Sequence, residues 1–477
     1  MMKKKILASA VATTFVAGML ASGSAHAVRM SENGSGQVLL GAQYLARAAD
    51  YTTTRIRVVN PSLTDAVKAR LSLRSKKHSD ECFDTVLYLT PGDVAYLDLR
   101  LSAAGKPEVW TDDDSILASR SSDGSLKFAS QVPGGVTFPI NESVVLKTEP
   151  TADSCAQGHI EVVGAYSAAG VISGLASGLP NVTVRQTMSK FEVIRIFDTP
   201  KGSLNIAGNN VTNNPAIGTG PADHAARVQL SGFVETIKSD DRIATPMSAL
   251  RDGINPLTAG AVTYVIGNPL LDPTVGNEVK MGQNFGSLTG GTLNLTGTID
   301  TINDIEAGIA SSNLRGFYEN NGGRGLSMEV TFPTKYRHQL VKDASGKMTY
   351  GAPFHNYGEI GYATSLFDNQ ENSAPATVSE ICVVSPCPIA TISGSFLIHE
   401  VNYNVVTGAT NWNPSSGWYS TNLSGVAGAP RYDIGVLGTA YAGIPTIGYT
   451  HYFYTNTGTI SRSIVEPLNR NNNVGQN

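Results

Sequence analysis

The stretch Val67-Lys-Ala-Arg-Leu-Ser-Leu-Arg switches between apolar and polar at almost every step. A period of two belongs to a β-strand, whose successive side chains point to opposite faces of a sheet, and it marks a strand buried on one face. Similar runs occur at Gln37–Leu45, Thr52–Asn60, Thr85–Leu89, Val94–Leu99 and His159–Val163. Turn-forming groups such as Asn60-Pro61-Ser62 and Pro91-Gly92-Asp93 separate them. Strands spaced about ten residues apart, with turns between them, predict an all-β chain built as an antiparallel β-sandwich.

From Ala165 to about Asn320 the text changes to Gly, Asn, Thr and Pro, as in Asn205-Ile-Ala-Gly-Asn-Asn-Val-Thr-Asn-Asn-Pro. This predicts a loop-rich second domain, 165–320, inserted between sandwich segments 28–164 and 321–468. Two short helices are expected inside it. One is Thr245–Arg251, with a Thr cap before Pro246, and the other is Ile302–Ser312, with Asp304 and Glu306 in its first turn. Strand patterns resume at Leu326–Pro333, Ile392–Val406 and Pro445–Tyr454, and a polar tail, 469–477, is expected to be flexible.

The first 27 residues read as a secretory signal. Lys3, Lys4 and Lys5 precede the apolar run Ile6–Leu20, and Ala25-His26-Ala27 supplies small residues for cleavage before Val28. The apolar run is shorter than the roughly 20 residues that span a bilayer. No Cys stands at the cleavage position, and no later run reaches spanning length. The expectation is therefore an exported protein, extracellular or on the cell surface, with the periplasm as the other compartment and no membrane span in the mature chain.

Charged residues make up 16% of the chain and the net charge is −4; removing the three signal lysines gives −4 − 3 = −7 for the mature chain. No basic stripe occurs, so nucleic acid is not an expected partner. All four cysteines, Cys82, Cys155, Cys382 and Cys387, lie in the mature segment. In an oxidising compartment they predict two disulfides, and three connectivities are possible. Cys82–Cys155 with Cys382–Cys387 is favoured because each pair falls within one strand-like stretch. A zinc site would need short C-x-x-C pairs, which are missing, and C-x-x-C-H for covalent haem is missing too.

Tests for catalytic motifs return nothing specific. G-x-S-x-G is absent, as is H-E-x-x-H, and His78, His159, His224, His338, His355, His399 and His451 are scattered. His399 and Glu400 are neighbours in strand-like sequence and point to opposite faces. Ser345-Gly346-Lys347 ends like a phosphate-binding loop, but Val341 stands where that loop requires Gly. Asp112, Asp113 and Asp114 offer the oxygen ligands a calcium ion needs, although three successive acids are more often a solvated loop tip. The aromatic run Gly448–Tyr454 fits a strand buried on both sides, or one presenting rings to a partner. Regular apolar-out strands of about ten residues, the mark of an outer-membrane barrel, are missing.

Several phrases recur together: Gly36-Gln-Val-Leu-Leu, Arg55-Ile-Arg-Val-Val-Asn, Asp84–Val94, Gly158-His-Ile-Glu-Val-Val, Val330-Thr-Phe-Pro-Thr-Lys and Gly443-Ile-Pro-Thr-Ile-Gly-Tyr. In this order the chain resembles a family of uncharacterised exported β-rich proteins of Gram-negative bacteria. The resemblance spans most of the mature chain outside Ala165–Asn320 and departs from the group at Cys82. It implies export and a framework formed by the two ends packing together, and it supplies no catalytic residue.

The leading expectation is a non-enzymatic structural protein of the cell surface or exterior that assembles with copies of itself into a filament, layer or coat. Its donated strand would lie within Ser35–Leu45, with Gln37, Val38, Leu39 and Leu40 as contacts. A second expectation is an adhesin or carbohydrate-binding protein using Trp110, Trp412 and Trp418 on a surface glycan. A third is a secreted hydrolase whose carboxylates converge only in the fold.

Overall fold

A computed structural model describes residues 29–251 and 306–470 except for stretches within them, the longest being 141–154, 199–227 and 381–395. The signal segment 1–27, Cys382, Cys387, Trp412, residues 302–305 and residues 471–477 lie outside the described residues.

The period-two runs become strands, and the chain is all-β with one α-helix of named extent among the described residues. The first six-stranded sheet runs, edge to edge, through Arg29–Met30, Ser248–Arg251, Val38–Leu45, Gln157–Ala169, Asp65–Ser75 and Glu81–Leu89. The second runs through Val136–Pro139, Pro107–Thr111, Val94–Leu101, Thr53–Val59, Ser231–Lys238 and Asp241–Pro246. All the pairings in both are antiparallel. Leu39, Leu71, Leu87 and Ile160 of the first sheet share one apolar core with Ile56, Leu97, Val109 and Val234 of the second.

The strand Asp65–Ser75 is buried along its whole length, not on alternate residues. Its apolar set, Val67, Ala69, Leu71 and Leu73, faces the shared core, and its polar set, Lys68, Arg70, Ser72 and Arg74, is enclosed on the other face. The expected solvent face is therefore an interior one. A third sheet of ten strands, formed by residues between Asn313 and Arg470, lies against the same first sheet. Val38, Leu40, Val163 and Leu250 meet Ile309 and Ile447 there. Polar contacts fix the joint. Thr331 Oγ1 donates to Ala42 O (2.6 Å), Tyr449 OH donates to Gln43 Oε1 (3.1 Å), and Lys76 O accepts from Glu400 N (2.9 Å).

Residues 231–251, placed by sequence within a middle insertion, supply three strands to the two N-terminal sheets. The expected helix Thr245–Arg251 is instead parts of the strands Asp241–Pro246 and Ser248–Arg251. Pairing with Phe233–Lys238 and with Val38–Leu40 overrides the local helix-start signal. Within Ile302–Ser312, Glu306, Gly308 and Ile309 are helical and Ala310–Ser311 is a short strand paired with Ile444–Pro445. Asn469 and Arg470, expected in the flexible tail, pair with Arg315 and Leu314.

The helix of named extent is Lys190–Asp198. Ser189 caps it: Glu192 N donates to Ser189 Oγ (3.3 Å), and the Glu192 carboxylate accepts Ser189 N–H (2.7 Å), a reciprocal capping box. Val193, Ile194, Ile196 and Phe197 then pack on Tyr88, Phe128, Ile172 and Val182.

Cys82 and Cys155 are disulfide-bonded and buried. They join the strand Glu81–Leu89, on one side of Asp65–Ser75, to the turn that leads into Gln157–Ala169 on the other, closing a sequence separation of 73 residues. Restricting the unfolded chain by a loop of that length is worth about 2–5 kcal/mol. Cys82→Ala/Cys155→Ala is expected to lower the unfolding free energy by that amount, read by urea denaturation against the oxidised wild type.

Candidate functional site

The acidic run leaves the strand Pro107–Thr111 and turns inward. Asp113 accepts hydrogen bonds from Ser115 N (2.7 Å) and Tyr96 N (3.1 Å), and burial pushes its carboxyl up to about 6. Asp112 accepts from the Tyr96 hydroxyl, while exposed Asp114 faces Lys190 at 3.5 Å. The three carboxylates thus engage separate protein donors. Among the described residues, no group of three or more His, Cys, Asp or Glu side chains is arranged to hold a metal ion.

Gln37, Val38, Leu39 and Leu40 are all buried. Val38, Leu39 and Leu40 pair with Val163, Val162 and Glu161 on one side and with Leu250, Ala249 and Ser248 on the other. Within its own chain, Val38–Leu40 is therefore an inner stretch of the first sheet.

The enclosed face of the first sheet carries paired charge. Arg74 Nε lies 3.2 Å from Glu161 Oε2, His159 Nε2 lies 3.3 Å from Glu161 Oε1, and Arg70 lies 2.8 Å from Asp84. Burial resists ionisation of Glu161, yet the Arg74 guanidinium and His159 together hold its carboxyl below the usual range. At the joint with the third sheet, burial pushes the Glu329 carboxyl well above the ordinary carboxylate range.

The tryptophans differ in their freedom. Trp110 is half-buried; its Nε1 donates to Gly134 O (3.0 Å) and the Arg100 guanidinium lies 5.1 Å from its ring centre. A Cβ at Gly135 would come within 2.9 Å of the indole, so the backbone there packs directly on it. Trp418 lies on the outer face of the third sheet, where a set of side chains converges. Cross-strand register places Phe317, Trp418 and Phe367 in one row, then Arg315, Ser420 and Ser365, then Asn313, Asn422 and Ala363. Phe367 stacks on Trp418 at 3.8 Å and 5°, and Arg315 lies 5.9 Å from the indole centre. Phe317 is 66% exposed. Asn313 Nδ2 donates to Ser420 Oγ (2.7 Å), and Arg315 Nε donates to Asn313 Oδ1 (3.2 Å).

The face therefore combines an open aromatic ring with amide, hydroxyl and guanidinium groups, held by backbone pairing on three neighbouring strands. Opposite it, Leu314, Tyr419, Leu423 and Leu366 form the core beneath. Sequence reasoning found Trp418 but missed Phe317, Arg315 and Phe367. The signal was the alternation itself: Asn313, Arg315 and Phe317 share a parity, as do Trp418, Ser420 and Asn422.

The Arg74–Glu161 pair gives two expected outcomes. Arg74→Ala removes the guanidinium beside the buried Glu161 carboxylate, leaving His159 next to it, and is expected to cost about 3–5 kcal/mol of stability in urea denaturation. A carboxyl whose folded pKa lies below its unfolded value adds stability that is complete above about 4.5 and is lost as pH falls through the folded value. Below about pH 4.5, acid should therefore destabilise wild type more steeply than Glu161→Gln. Asp113 acts in the opposite sense, its folded form favouring the proton, so its contribution declines as pH rises from 3.8 to about 6.

No family model matches the chain, and no curated protein matches it. Among solved structures, the lectin from Pleurotus ostreatus in complex with GalNAc shares 8% identity, with 92% of this chain and 85% of that one covered, at a TM-score of 0.12. A human norovirus GI.7 Houston strain virus-like particle shares 9% identity, with 94% and 82% covered, at a TM-score of 0.14.

Proposed function

We propose that this chain is an exported, non-enzymatic surface protein that binds a saccharide on the outer face of its third sheet. The observation that carries the reading is the convergence of Phe317, Arg315, Asn313, Ser420 and Asn422 beside the Trp418–Phe367 stack. A sugar presents an apolar C–H face and a rim of hydroxyls, and an exposed ring flanked by amides and a guanidinium matches both. The occupied indole face assigns the stacking role to Phe317, with Trp418 fixing the neighbouring surface.

A second copy of the chain is the competing occupant. Isologous pairing brings the same patch together from both copies. None of Asn313, Arg315, Phe317, Ala363, Ser365, Phe367, Trp418, Ser420 and Asn422 is acidic, so Arg315 would find no carboxylate there. That charge argument favours a hydroxyl-rich ligand over self-association. Export rests on the Lys3–Ala27 signal pattern and on the resemblance to exported β-rich proteins of Gram-negative bacteria. No helix among the described residues is long and apolar enough to cross a membrane.

The test is a panel of neutral and acidic oligosaccharides titrated against the full chain, with sedimentation on the same samples. Phe317→Ala and Arg315→Ala are each expected to weaken binding about tenfold or more while leaving the fold intact. Binding unchanged in both variants, or an oligomer that the two substitutions dissociate, overturns the saccharide reading.

A further inference from the structure

Lys190 is the first residue of the helix and its ammonium is enclosed, 8% exposed. It contacts the Asp93 carboxylate and donates to Ser115 Oγ (2.9 Å) and Tyr88 O (3.2 Å). Asp93 is fixed from other directions: Oδ2 accepts from Thr90 N (3.0 Å) and Ser115 Oγ (3.3 Å), and Oδ1 accepts from Val94 N (2.9 Å). Amine and carboxyl are thus held together from positions 97 residues apart in sequence. The apolar cluster of Val86, Tyr88, Met188 and Val193 borders them.

We propose that Lys190 and Asp93 form an intramolecular isopeptide bond, with the Ser115 hydroxyl carrying protons between the two reacting groups. Proton transfer within the ion pair gives a neutral amine and a neutral carboxylic acid. Nζ of Lys190 then attacks Cγ of Asp93, a C–N bond forms, a C–O bond breaks, and the hydroxyl leaves with one amine proton as water. The condensation is redox-neutral and needs no co-reactant.

Three features on this sheet edge favour the step. The reacting groups are fixed in contact, which replaces a bimolecular encounter with an intramolecular one. Most water is excluded, which favours its loss as product. Ser115 Oγ touches both Nζ and the departing oxygen, as a proton carrier must. Asp113 binds Ser115 N and Asp114 lies 3.5 Å from Lys190, so two further carboxyls surround the pair; Asp113, acting through Ser115, is a positioning residue. An ordinary buried ion pair docking the helix would use the same contacts, and it differs in one observable: mass.

The experiment is peptide mapping by mass spectrometry of the full chain, reduced, denatured and digested. The expected result is one branched peptide joining the segments that contain Asp93 and Lys190, lighter than their sum by one water. Lys190→Arg and Asp93→Ala should each yield two separate linear peptides, and Ser115→Ala should slow the appearance of the branched species. Asp113→Asn should shift the pH profile of that rate. Two linear peptides of full sequence mass from folded wild type, after prolonged incubation across the neutral range, overturn the proposal whether or not the variants fold.

Discussion

A sheet covered on both faces has nowhere to send its polar side chains. The strand Asp65–Ser75 meets this constraint with basic residues on the face away from the first core and acids opposite them on Glu81–Leu89 and Gln157–Ala169. Burying a charge is tolerable only when a partner and hydrogen bonds replace the lost water. The pairing of Arg74 with Glu161, and of Arg70 with Asp84, is thus the condition under which this face of the first sheet can be covered. An apolar face would pack there too, but it would accept many registers. Fixed charges at fixed positions accept few.

That same face explains why the sequence conveys part of the fold and withholds the rest. Alternation identifies the strands because backbone geometry alone sets the period. It does not tell a polar side chain facing solvent from one facing a buried partner, since Lys68, Arg70 and Arg74 read identically in both cases. Partners far along the chain decide the matter, and Glu161 stands 87 residues from Arg74. The helix at Lys190 was not among the expected helices, although Ser189-Lys-Phe-Glu192 is a capping signature followed by apolar residues. Thr245-Pro246 carried an equally local helix signal and lost to strand pairing.

The two faces of the third sheet show the same limits at the candidate site. Tyr419 is buried and its neighbour Trp418 is half exposed, on opposite sides of one strand. Counting tryptophans draws attention to Trp110 and Trp418 alike, yet the indole at 110 is packed by Gly135 and Arg100. Exposed Phe317 becomes prominent only once register sets it beside Arg315 and across from Trp418. Neighbourhood across strands, not residue type, makes the face.

The inner position of Val38–Leu45 also bears on time. Leu39 pairs with Val162 and with Ala249. A chain emerging from its N-terminus therefore makes this apolar strand early and encloses it only after residue 250 has appeared. Until residue 163 has emerged Val38, Leu39 and Leu40 present both edges to any other unpaired strand, and from then until residue 250 they present one, the situation in which nascent β-proteins aggregate. The sheet cannot be completed piecemeal, and its first sheltered strand keeps an open edge until residue 250, past the midpoint of the 477-residue sequence, has been synthesised.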